Sequence, residues 1–212
     1  MSKGKYILVE GGDGSGKSTQ IKLLEDYLGK KKIPFVITRE PGGTEICDIY
    51  RDIVLTRRKE ELSHQAELFT YLAARSQVIF HVVKPALERG EWVISDRGYP
   101  STVAYQGHGM GISKSLINEL NEFSVTFKDE EILPDLVFII DVPVEVGLAK
   151  ATEHGADRQE SRGIEFHKRV INGYRQIISH DKKVIPVPYI EDGIMKMHNQ
   201  IVQTLEQRFF LR

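Results

Sequence analysis

The chain has very little cysteine, since Cys47 is the one example among its 212 residues. A single thiol excludes an internal disulfide framework and is typical of a reducing compartment. Long apolar runs are also missing: stretches such as residues 136–140 are far shorter than the roughly 20 residues of a membrane helix. Residues 1–5 lead straight into a short apolar segment and lack the pattern of a signal peptide. These absences predict a soluble protein of the cytoplasm.

An excess of charge of one sign is missing as well. The 29 lysine and arginine residues offset 30 acidic residues, which leaves a formal net charge of −1 at pH 7. This balance argues against a general nucleic-acid binder and against a membrane-surface protein. No internal repeat, low-complexity tract or linker interrupts the chain. Because 41% of the residues are hydrophobic, we expect one core and a single domain over residues 1–212.

Short apolar segments alternate with longer segments of helical periodicity. Strands are predicted at residues 6–9, 34–38, 92–95, 136–140 and 184–187. Continuous apolar runs of this kind are typical of parallel strands buried on both faces. Helices are predicted at residues 17–29, 44–56, 63–89, 113–125, 143–152, 160–181 and 193–209. The alternation predicts an α/β fold, a three-layer α/β/α sandwich with a five-stranded parallel sheet.

Two features interrupt this pattern. Pro85 is expected to kink or end the long helix at residues 63–89, because proline lacks the N–H that a helix interior requires. Residues 152–163 are polar, contain glycine and fit neither periodicity. We expect a short mobile loop at residues 152–163, and we call it the lid segment.

A glycine-rich loop at residues 11–18 fits G-x-x-x-x-G-K-[ST] at every fixed position, between a predicted strand and a predicted helix. Its glycines allow backbone N–H groups to turn towards phosphate oxygens, and the following helix adds its positive N-terminal end. Lys17 is expected to reach the β- and γ-phosphates of a nucleotide, and the Ser18 hydroxyl to hold Mg²⁺. The expected nucleotide-binding residues are Gly11, Gly12, Asp13, Gly14, Ser15, Gly16, Lys17, Ser18 and Thr19.

Asp96 closes the third predicted strand, and Arg97 follows it directly. A carboxylate at this edge of the sheet is a candidate Mg²⁺ ligand, either direct or through water, although it would also suit the cap of the next segment. P-loops of this kind serve kinases, GTPases and motor proteins. The chain has no Asn-Lys-x-Asp motif for reading guanine, which weakens the GTPase interpretation.

Four segments, in chain order, give the chain a resemblance to the thymidylate kinase family. They are Glu-Gly-Gly-Asp-Gly-Ser-Gly-Lys-Ser-Thr-Gln at 10–20, Thr-Arg-Glu-Pro-Gly-Gly-Thr at 38–44, Ala-Ala-Arg at 73–75 with Asp-Arg at 96–97 and Ser-Thr-Val-Ala-Tyr-Gln-Gly at 101–107, and Asp-Arg-Gln-Glu at 157–160. The resemblance implies a P-loop kinase that uses ATP and Mg²⁺ to convert dTMP to dTDP. It also implies a homodimer.

The resemblance implies a pocket for the phosphate of dTMP. Arg39, Arg51 and Arg97 are its expected ligands, because a guanidinium group can hold a phosphate through two parallel hydrogen bonds. Pro41 is expected to wall this pocket, after a Glu40–Pro41 bond that is often cis in the family. The alternatives are a plain loop at residues 39–43 and a solvated surface arginine at position 51.

The resemblance also implies a pocket for the base and sugar. Tyr71 stacks on thymine, Arg75 donates to its carbonyl, and Thr102 and Gln106 pair with its edge. Tyr105 lies against the sugar, where a 2′-hydroxyl would clash. Tyr71 would equally suit a core position, and the neighbouring Phe69 is expected in the core. Asp13 resembles the family acid near the 3′-hydroxyl and Mg²⁺, although turn geometry alone would also favour it.

Three departures from the family pattern leave other functions open. Gly98 replaces the usual aromatic residue after Asp-Arg, Gly14 stands where some members have arginine, and no arginine precedes Asp157 in the lid segment. Arg158 is therefore expected to act as the arginine over ATP, and a surface pairing with its neighbours Asp157 and Glu160 is the alternative. The rival functions are a kinase with a wider range of deoxynucleoside monophosphates and a nucleotide-gated binding protein without turnover.

The expected catalytic residues are Lys17, Arg97, Arg158 and Asp13. His154 and His167 have no partners at metal-ligand spacing and are expected on the surface.

Overall fold

The computed structural model describes residues 4–153 and 155–211, so His154 lies outside the described residues together with residues 1–3 and 212. Five parallel strands form the main sheet: β1 (Tyr6–Gly11), β2 (Phe35–Arg39), β3 (Trp92–Asp96), β6 (Leu136–Asp141) and β7 (Val184–Pro188). A short antiparallel hairpin of β4 (Thr126–Phe127) and β5 (Glu130–Glu131) stands apart from it. The strand order in the main sheet is β2-β3-β1-β6-β7. The predicted five-stranded parallel sheet is confirmed.

The helices also follow the predicted segments. Within the described residues they are α1 (Lys17–Lys30), α2 (Glu45–Leu55), α3 (His64–Val78), α4 (Lys84–Glu88), α5 (Tyr99–Thr102), α6 (Lys114–Val125), α7 (Val144–Ala151), α8 (Ile164–His180) and α9 (Ile194–Leu205). A 3₁₀ turn at Glu160–Arg162 precedes α8. The side chains of Thr44 and Ser63 cap α2 and α3 by accepting hydrogen bonds from backbone N–H groups three residues later.

Several helices widen into π turns. The π turn Ile79–Val83 joins α3 to α4, and the π turn Val103–Gly109 extends α5. Pro85 lies in the first turn of α4, where its missing N–H is tolerated, so the helix does not end there. Sequence patterns did not predict a helix at residues 99–109 or the small hairpin.

Alternate side chains of β1 pack into two different core layers. Ile7 and Val9 pack with Leu24 and Leu28 of α1, while Leu8 packs on the other face with Val170 of α8. This arrangement produces the three layers of the α/β/α sandwich. Because Leu24 and Leu28 are fully buried, truncation of either to alanine is expected to cost about 2–5 kcal/mol of stability.

Phe69 does not lie in the core, contrary to the sequence-based expectation. Its side chain on α3 is 59% exposed, whereas Leu68 and Leu72 of the same helix face inwards and are buried. Among the described residues, no helix combines the length and apolar character needed to cross a membrane. Parallel strands end together at one edge of the sheet, and the segments that follow β1, β2 and β3 meet there to form the site.

Candidate active site

A cleft of about 370 Å³ opens at the carboxyl edge of the sheet. We call it the main cleft. Its walls come from the loop after β1, the end of β2, α2, α3, the end of β3, the helix at 99–109 and the lid segment. The residues that sequence analysis assigned to dTMP all line it, namely Asp13, Arg39, Pro41, Arg51, Tyr71, Arg75, Arg97, Thr102, Tyr105 and Gln106. Lys17, Ser18 and Asp96 line it as well.

The glycine-rich loop holds Lys17 at the base of this cleft. The Lys17 Nζ atom donates to the carbonyl oxygens of Gly11 and Gly12 at 3.2 and 2.9 Å. Helix α1 begins at Lys17, so its unpaired N-terminal N–H groups face the same space. Burial, and then the nearby Arg97, lower the pKa of Lys17 from 10.5 to about 8. The loop therefore concentrates positive charge that protein groups only partly neutralise.

The loop has no room for an arginine at position 14. Gly14 adopts a φ of 66°, and a Cβ atom there would lie 1.9 Å from the backbone oxygen of Gly147. A larger side chain would force α7 away from the loop. The departure noted at this position is thus a consequence of close packing between the loop and α7.

Arg97 is the centre of a network of hydrogen bonds behind the loop. Its guanidinium donates to Asp13 Oδ1 at 2.5 Å and to the Gly11 oxygen at 3.0 Å. It also donates to the hydroxyl of Tyr105 at 3.3 Å, and that hydroxyl donates to Asp13 Oδ2 at 2.8 Å. Burial raises the pKa of Asp13, but Arg97 and then Lys17 outweigh this and hold it below its usual value. Asp13 is therefore a fixed carboxylate at the rim of the cleft.

The backbone of Arg97 is itself unusual, with a φ of 75°. This left-handed conformation is costly for a residue with a side chain and is found where surrounding contacts impose it. Here Glu10, which is fully buried, imposes the following turn by accepting hydrogen bonds from Gly98 N at 2.7 Å and Ser101 Oγ at 2.8 Å. The Tyr174 hydroxyl also donates to Glu10 at 2.8 Å. Sequence analysis assigned no role to Glu10 or Tyr174.

Arg39 and Arg51 form fewer hydrogen bonds to the protein than Arg97 does. The Arg39 side chain is 53% exposed and donates to Asp48 at 3.1 Å. Arg51 is half-buried and donates to the backbone oxygen of Pro41 at 2.9 Å. Burial, and then Arg39, lower the pKa of Arg51. Arg51 thus lines the cleft as a partly desolvated cation without a carboxylate partner among the described residues.

The Glu40–Pro41 peptide bond is cis, as the resemblance to the family implied. Glu40 is buried and accepts a hydrogen bond from Arg75 Nε at 2.7 Å. Arg75 also donates to Asn121 Oδ1 at 2.7 Å, to the Gly98 oxygen at 3.0 Å and to Thr102 Oγ1 at 2.8 Å. Of the five N–H groups of Arg75, one on Nη1 has no acceptor among residues 4–153 and 155–211. The hydrogen bond from Arg75 also fixes the Thr102 hydroxyl beside the guanidinium group.

The packing around position 98 explains why glycine stands there in place of an aromatic residue. A Cβ atom at this position would lie 2.6 Å from Leu8 Cδ1 of the central strand. An aromatic side chain at position 98 would therefore require the core beside β1 to move. In this chain the wall of the cleft at Gly98 consists of backbone.

Tyr71 faces the cleft rather than the core, one helical turn before Arg75. Its hydroxyl accepts a hydrogen bond from Gln159 Nε2 in the lid segment at 3.3 Å. Behind it, Glu67 accepts from Gln106 Nε2 at 3.0 Å and from Gln159 Nε2 at 2.7 Å. Sequence analysis assigned no role to Glu67 or Gln159. No sequence pattern points to either residue beyond the position of Glu67 on the helix that carries Arg75.

Arg158 does not line the main cleft and does not pair with its sequence neighbours. Its guanidinium donates to the Val54 oxygen at 2.7 Å and to Glu67, which also accepts from Arg162 at 2.5 Å. The side chain is 18% exposed, so the expected alternative of a surface pair with Asp157 and Glu160 is wrong. Instead, Asp157 accepts backbone hydrogen bonds from Gln159 and Glu160 and so begins the 3₁₀ turn.

His167 is buried, and the expectation of a surface position is wrong. It is 3% exposed on α8, and its Nδ1 atom lies 3.8 Å from Asp13 Oδ2. Helical periodicity alone did not predict that His167 lies on the buried face of α8.

The pair of Ser18 and Asp96 fits a magnesium ion that is shared with phosphates. Asp96 Oδ1 is buried and has no hydrogen-bond partner among the described residues. Mg²⁺ favours oxygen ligands, and one carboxylate with substrate phosphates is a usual ligand set. In the part of the chain that the structure describes, no cluster of three or more histidine, cysteine or acidic side chains could hold a metal alone.

Comparisons with known proteins agree with this geometry. The family model for thymidylate kinase matches residues 9–201. The thymidylate kinase of Carboxydothermus hydrogenoformans is 42% identical over 176 residues, which cover 82% of this chain and 84% of the relative. The thymidylate kinase of Sulfurihydrogenibium sp. is 40% identical over 205 residues, which cover 97% of this chain and 98% of the relative.

A solved structure is similar over nearly the full length of both chains. The crystal structure of thymidylate kinase from Ehrlichia chaffeensis matches with a TM-score of 0.78 at 32% sequence identity, and the match covers 96% of this chain and 99% of that one. The similarity therefore includes the sheet, the P-loop and the walls of the cleft together.

Proposed function

The chain belongs to the thymidylate kinase family, and we propose that it transfers the γ-phosphoryl group of ATP to dTMP, which yields ADP and dTDP. The observation that carries this function is a single cleft that joins the P-loop at Lys17 to a base-sized pocket at Arg75 and Gln106. A P-loop alone would bind a nucleotide, whereas the second pocket supplies a site for an acceptor.

We propose that catalysis consists of positioning and charge neutralisation. The monophosphate of dTMP is already an anion at neutral pH, so its oxygen needs no general base to attack the γ-phosphorus. Lys17 would neutralise charge on the β- and γ-phosphates, and Arg51 with Arg39 would hold the phosphate of dTMP. Arg97 would hold Asp13 and Tyr105 in place and contact phosphate through its remaining N–H group.

Mg²⁺ is the proposed cofactor, and its support is the chemistry of the oxygen atoms at Ser18 and Asp96. The ion would be held by these two side chains together with the phosphates of ATP. It would supply charge neutralisation at the phosphate oxygens.

The base and sugar pockets give the proposed selectivity. The free N–H of Arg75 suits a carbonyl of thymine, and Tyr71 offers a ring face for stacking. The Tyr105 hydroxyl, held against Asp13, would leave no room for a 2′-hydroxyl on the sugar. These roles predict a deoxynucleotide with a thymine base as acceptor.

We propose that the lid segment moves at residues 155–163 when ATP binds. Arg158 is bound to Glu67 and Val54 in this structure, so a role over ATP requires it to leave both acceptors. Arg162 would remain on Glu67 and keep that buried carboxylate paired. The presence of two arginines on one carboxylate supports this exchange.

A homodimer is proposed from the exposed apolar side chains on neighbouring helices. Phe69 and Phe80 are 59% and 55% exposed on α3 and the π turn after it, and Phe123 is 80% exposed on α6. Large apolar side chains this exposed, on helices α3 and α6 that contact each other, are typical of an interaction surface, and a second copy of the chain suits a self-complementary contact. Phe123→Glu is expected to shift the mass measured by light scattering from two chains to one, and an unchanged dimer would contradict this surface.

A cytoplasmic location is also proposed. It is supported by Cys47, which is buried and unpaired, as is usual in a reducing compartment.

A panel of turnover assays tests the proposed function. The purified protein is given ATP, Mg²⁺ and one of dTMP, dUMP, dGMP or dCMP, and ADP release is measured. Preferential turnover of dTMP supports the proposal. Similar turnover of all four monophosphates would favour the wider-range kinase, and nucleotide binding without turnover would favour the binding protein.

A further inference from the structure

A buried carboxylate behind the main cleft sets the direction of two glutamine side chains that line it. Glu67 has no exposed surface and does not line the cleft. Its Oε1 atom accepts hydrogen bonds from Gln106 Nε2 at 3.0 Å and Gln159 Nε2 at 2.7 Å. Its Oε2 atom accepts from Arg158 and Arg162. One carboxylate therefore joins α3, the π turn at 103–109 and the lid segment.

The chemistry of a carboxylate determines how each amide must lie. An ionised carboxylate only accepts hydrogen bonds, so the NH₂ group of each glutamine has to face Glu67 and the carbonyl oxygen has to face away. Among residues 4–153 and 155–211, none donates to Gln106 Oε1. Gln159 Oε1 is buried and also lacks a described donor. Of the two oxygens, that of Gln106 is the one left as an acceptor on the wall of the cleft.

We propose that Glu67 is a positioning residue that makes the base pocket selective for thymine over cytosine, an inference that rests on the proposed dTMP kinase function. Thymine has a donor at N3, whereas cytosine has an acceptor at N3. Glu67 holds one N–H of Gln106, so the amide oxygen lies on the opposite side of the group. At the position of that oxygen Gln106 accepts from the N3–H of thymine and offers no donor to N3 of cytosine. Glu67 selects the base without touching it.

A pair of matched substrates isolates this effect. The nucleotides dTMP and 5-methyl-dCMP share the 5-methyl group, sugar and phosphate, and they differ only at positions 3 and 4 of the base. Selectivity is the ratio of kcat/KM for dTMP to kcat/KM for 5-methyl-dCMP. Because both values are measured on the same preparation, a loss of folded or active protein cancels in the ratio.

Glu67→Gln is the informative substitution. Glutamine at this position both donates and accepts, so the amide of Gln106 is no longer restricted to one direction. Selectivity is expected to fall at least about tenfold, since mispairing of one buried polar group is worth that much. Glu67→Asp keeps an acceptor-only group and is expected to retain most of the selectivity even if kcat falls.

Arg162→Gln is the matched control, because it removes a partner of Glu67 but leaves the carboxylate on Gln106. Its selectivity is expected to stay within about twofold of the wild type. Glu67→Gln alone leaves two guanidinium groups without their carboxylate, which is destabilising. If that variant does not fold, the double variant Glu67→Gln with Arg162→Gln removes one charge of each sign and is expected to show the same loss of selectivity.

The outcomes separate this inference from the proposed function. A wild-type protein that does not phosphorylate dTMP would overturn the proposed function itself. A selective wild type with an equally selective Glu67→Gln variant would overturn only the role of Glu67. An equal fall in selectivity in Arg162→Gln would also overturn the role of Glu67, because a general disturbance of the lid segment would then explain both results.

Discussion

Replacement of Lys17 by methionine is expected to stabilise the ligand-free protein while it abolishes most of the activity. The Lys17 side chain is 8% exposed, and burial followed by Arg97 lowers its pKa from 10.5 to about 8. One pKa unit corresponds to about 1.4 kcal/mol, so the charged ammonium costs the fold about 3 kcal/mol at neutral pH. Methionine keeps the length of the side chain and removes the charge.

The loss of the Lys17 hydrogen bonds offsets only part of this gain. The Gly11 oxygen keeps a hydrogen bond from Arg97 at 3.0 Å, and the Gly12 oxygen keeps one from the Ser15 N–H at 3.3 Å. We therefore expect a net gain of about 2 kcal/mol, which corresponds to a rise in Tm of about 4–8 °C for a protein of this size. At saturating ATP and dTMP, kcat is expected to fall at least ~10³-fold because charge on the γ-phosphate is no longer neutralised.

The dependence on pH gives the sign of the effect. The folded pKa of Lys17 lies below its unfolded value, so the unfolded chain binds more protons and the wild type gains stability as pH rises. Below pH 8 the Tm of Lys17→Met is expected to exceed that of the wild type by the full amount. Between pH 8 and 10.5 the difference should shrink and then change sign, because an uncharged lysine keeps hydrogen bonds that methionine lacks. Other titrating groups affect both proteins and cancel in this difference.

Thermal unfolding followed by circular dichroism at pH 7, 8, 9 and 10 provides the measurement. Lys22→Met is the matched control, because Lys22 lies on the exposed face of the same helix and is expected to change Tm by less than about 2 °C. A Lys17→Met protein that melts below the wild type at pH 7, or a difference that stays constant up to pH 10, would refute this reasoning.

Three further predictions concern substrates and the lid segment. The kcat/KM for dTMP should exceed that for dCMP or dGMP at least ~10²-fold, and Gln106→Ala should reduce this ratio. Equal kcat/KM values for the three substrates would contradict the residues assigned to the base pocket. UMP should be a poor substrate and dUMP an intermediate one, whereas comparable use of both would remove the role of Tyr105. Arg158→Ala should lower kcat and kcat/KM together at least ~10²-fold with little change in dTMP binding, and a kcat above about a third of wild type would end its catalytic assignment.

Sequence patterns were sufficient for the sheet and for the walls of the cleft. Strands β1, β3 and β6 are short continuous apolar runs with almost wholly buried side chains, which is a direct signal. The P-loop could be assigned because its motif fixes the backbone. The motifs around Arg39, Arg75 and Gln106 lie at strand ends or on one helix face, so the fold brings them together.

The remaining features depend on tertiary contacts that a local pattern does not contain. The helix at residues 99–109 includes Pro100 and two glycines, which disfavour helix formation, yet Tyr105 packs against Phe166 and Tyr174 of α8 at ring separations of 6.2 and 6.3 Å. Glu67 acquires its partners from segments 39 to 95 residues away in sequence. No periodicity indicates such a carboxylate.

The cations of the cleft fall into two groups with different physical tasks. Arg75 and Arg97 are surrounded by acceptors, and their hydrogen bonds hold Glu40, Thr102 and Asp13 in fixed positions. Lys17 and Arg51 are desolvated and form no ion pair with a carboxylate of the described residues, and the pKa of each is lowered. Arg75 and Arg97 organise the walls of the cleft whether or not a ligand is bound. The described part of the protein supplies no paired anion to Lys17 or Arg51.

Under the proposed function, substrate phosphates would supply the anions that Lys17 and Arg51 lack. An anion placed beside Lys17 raises its pKa and removes the cost of its charge, so nucleotide binding should stabilise the wild type more than it stabilises Lys17→Met. The same argument holds for Arg51 and the phosphate of dTMP. In the ligand-free protein the burial of Lys17 and Arg51 therefore costs free energy at the two positions where the proposed reaction would bring phosphates together. Binding of both substrates is expected to recover that free energy.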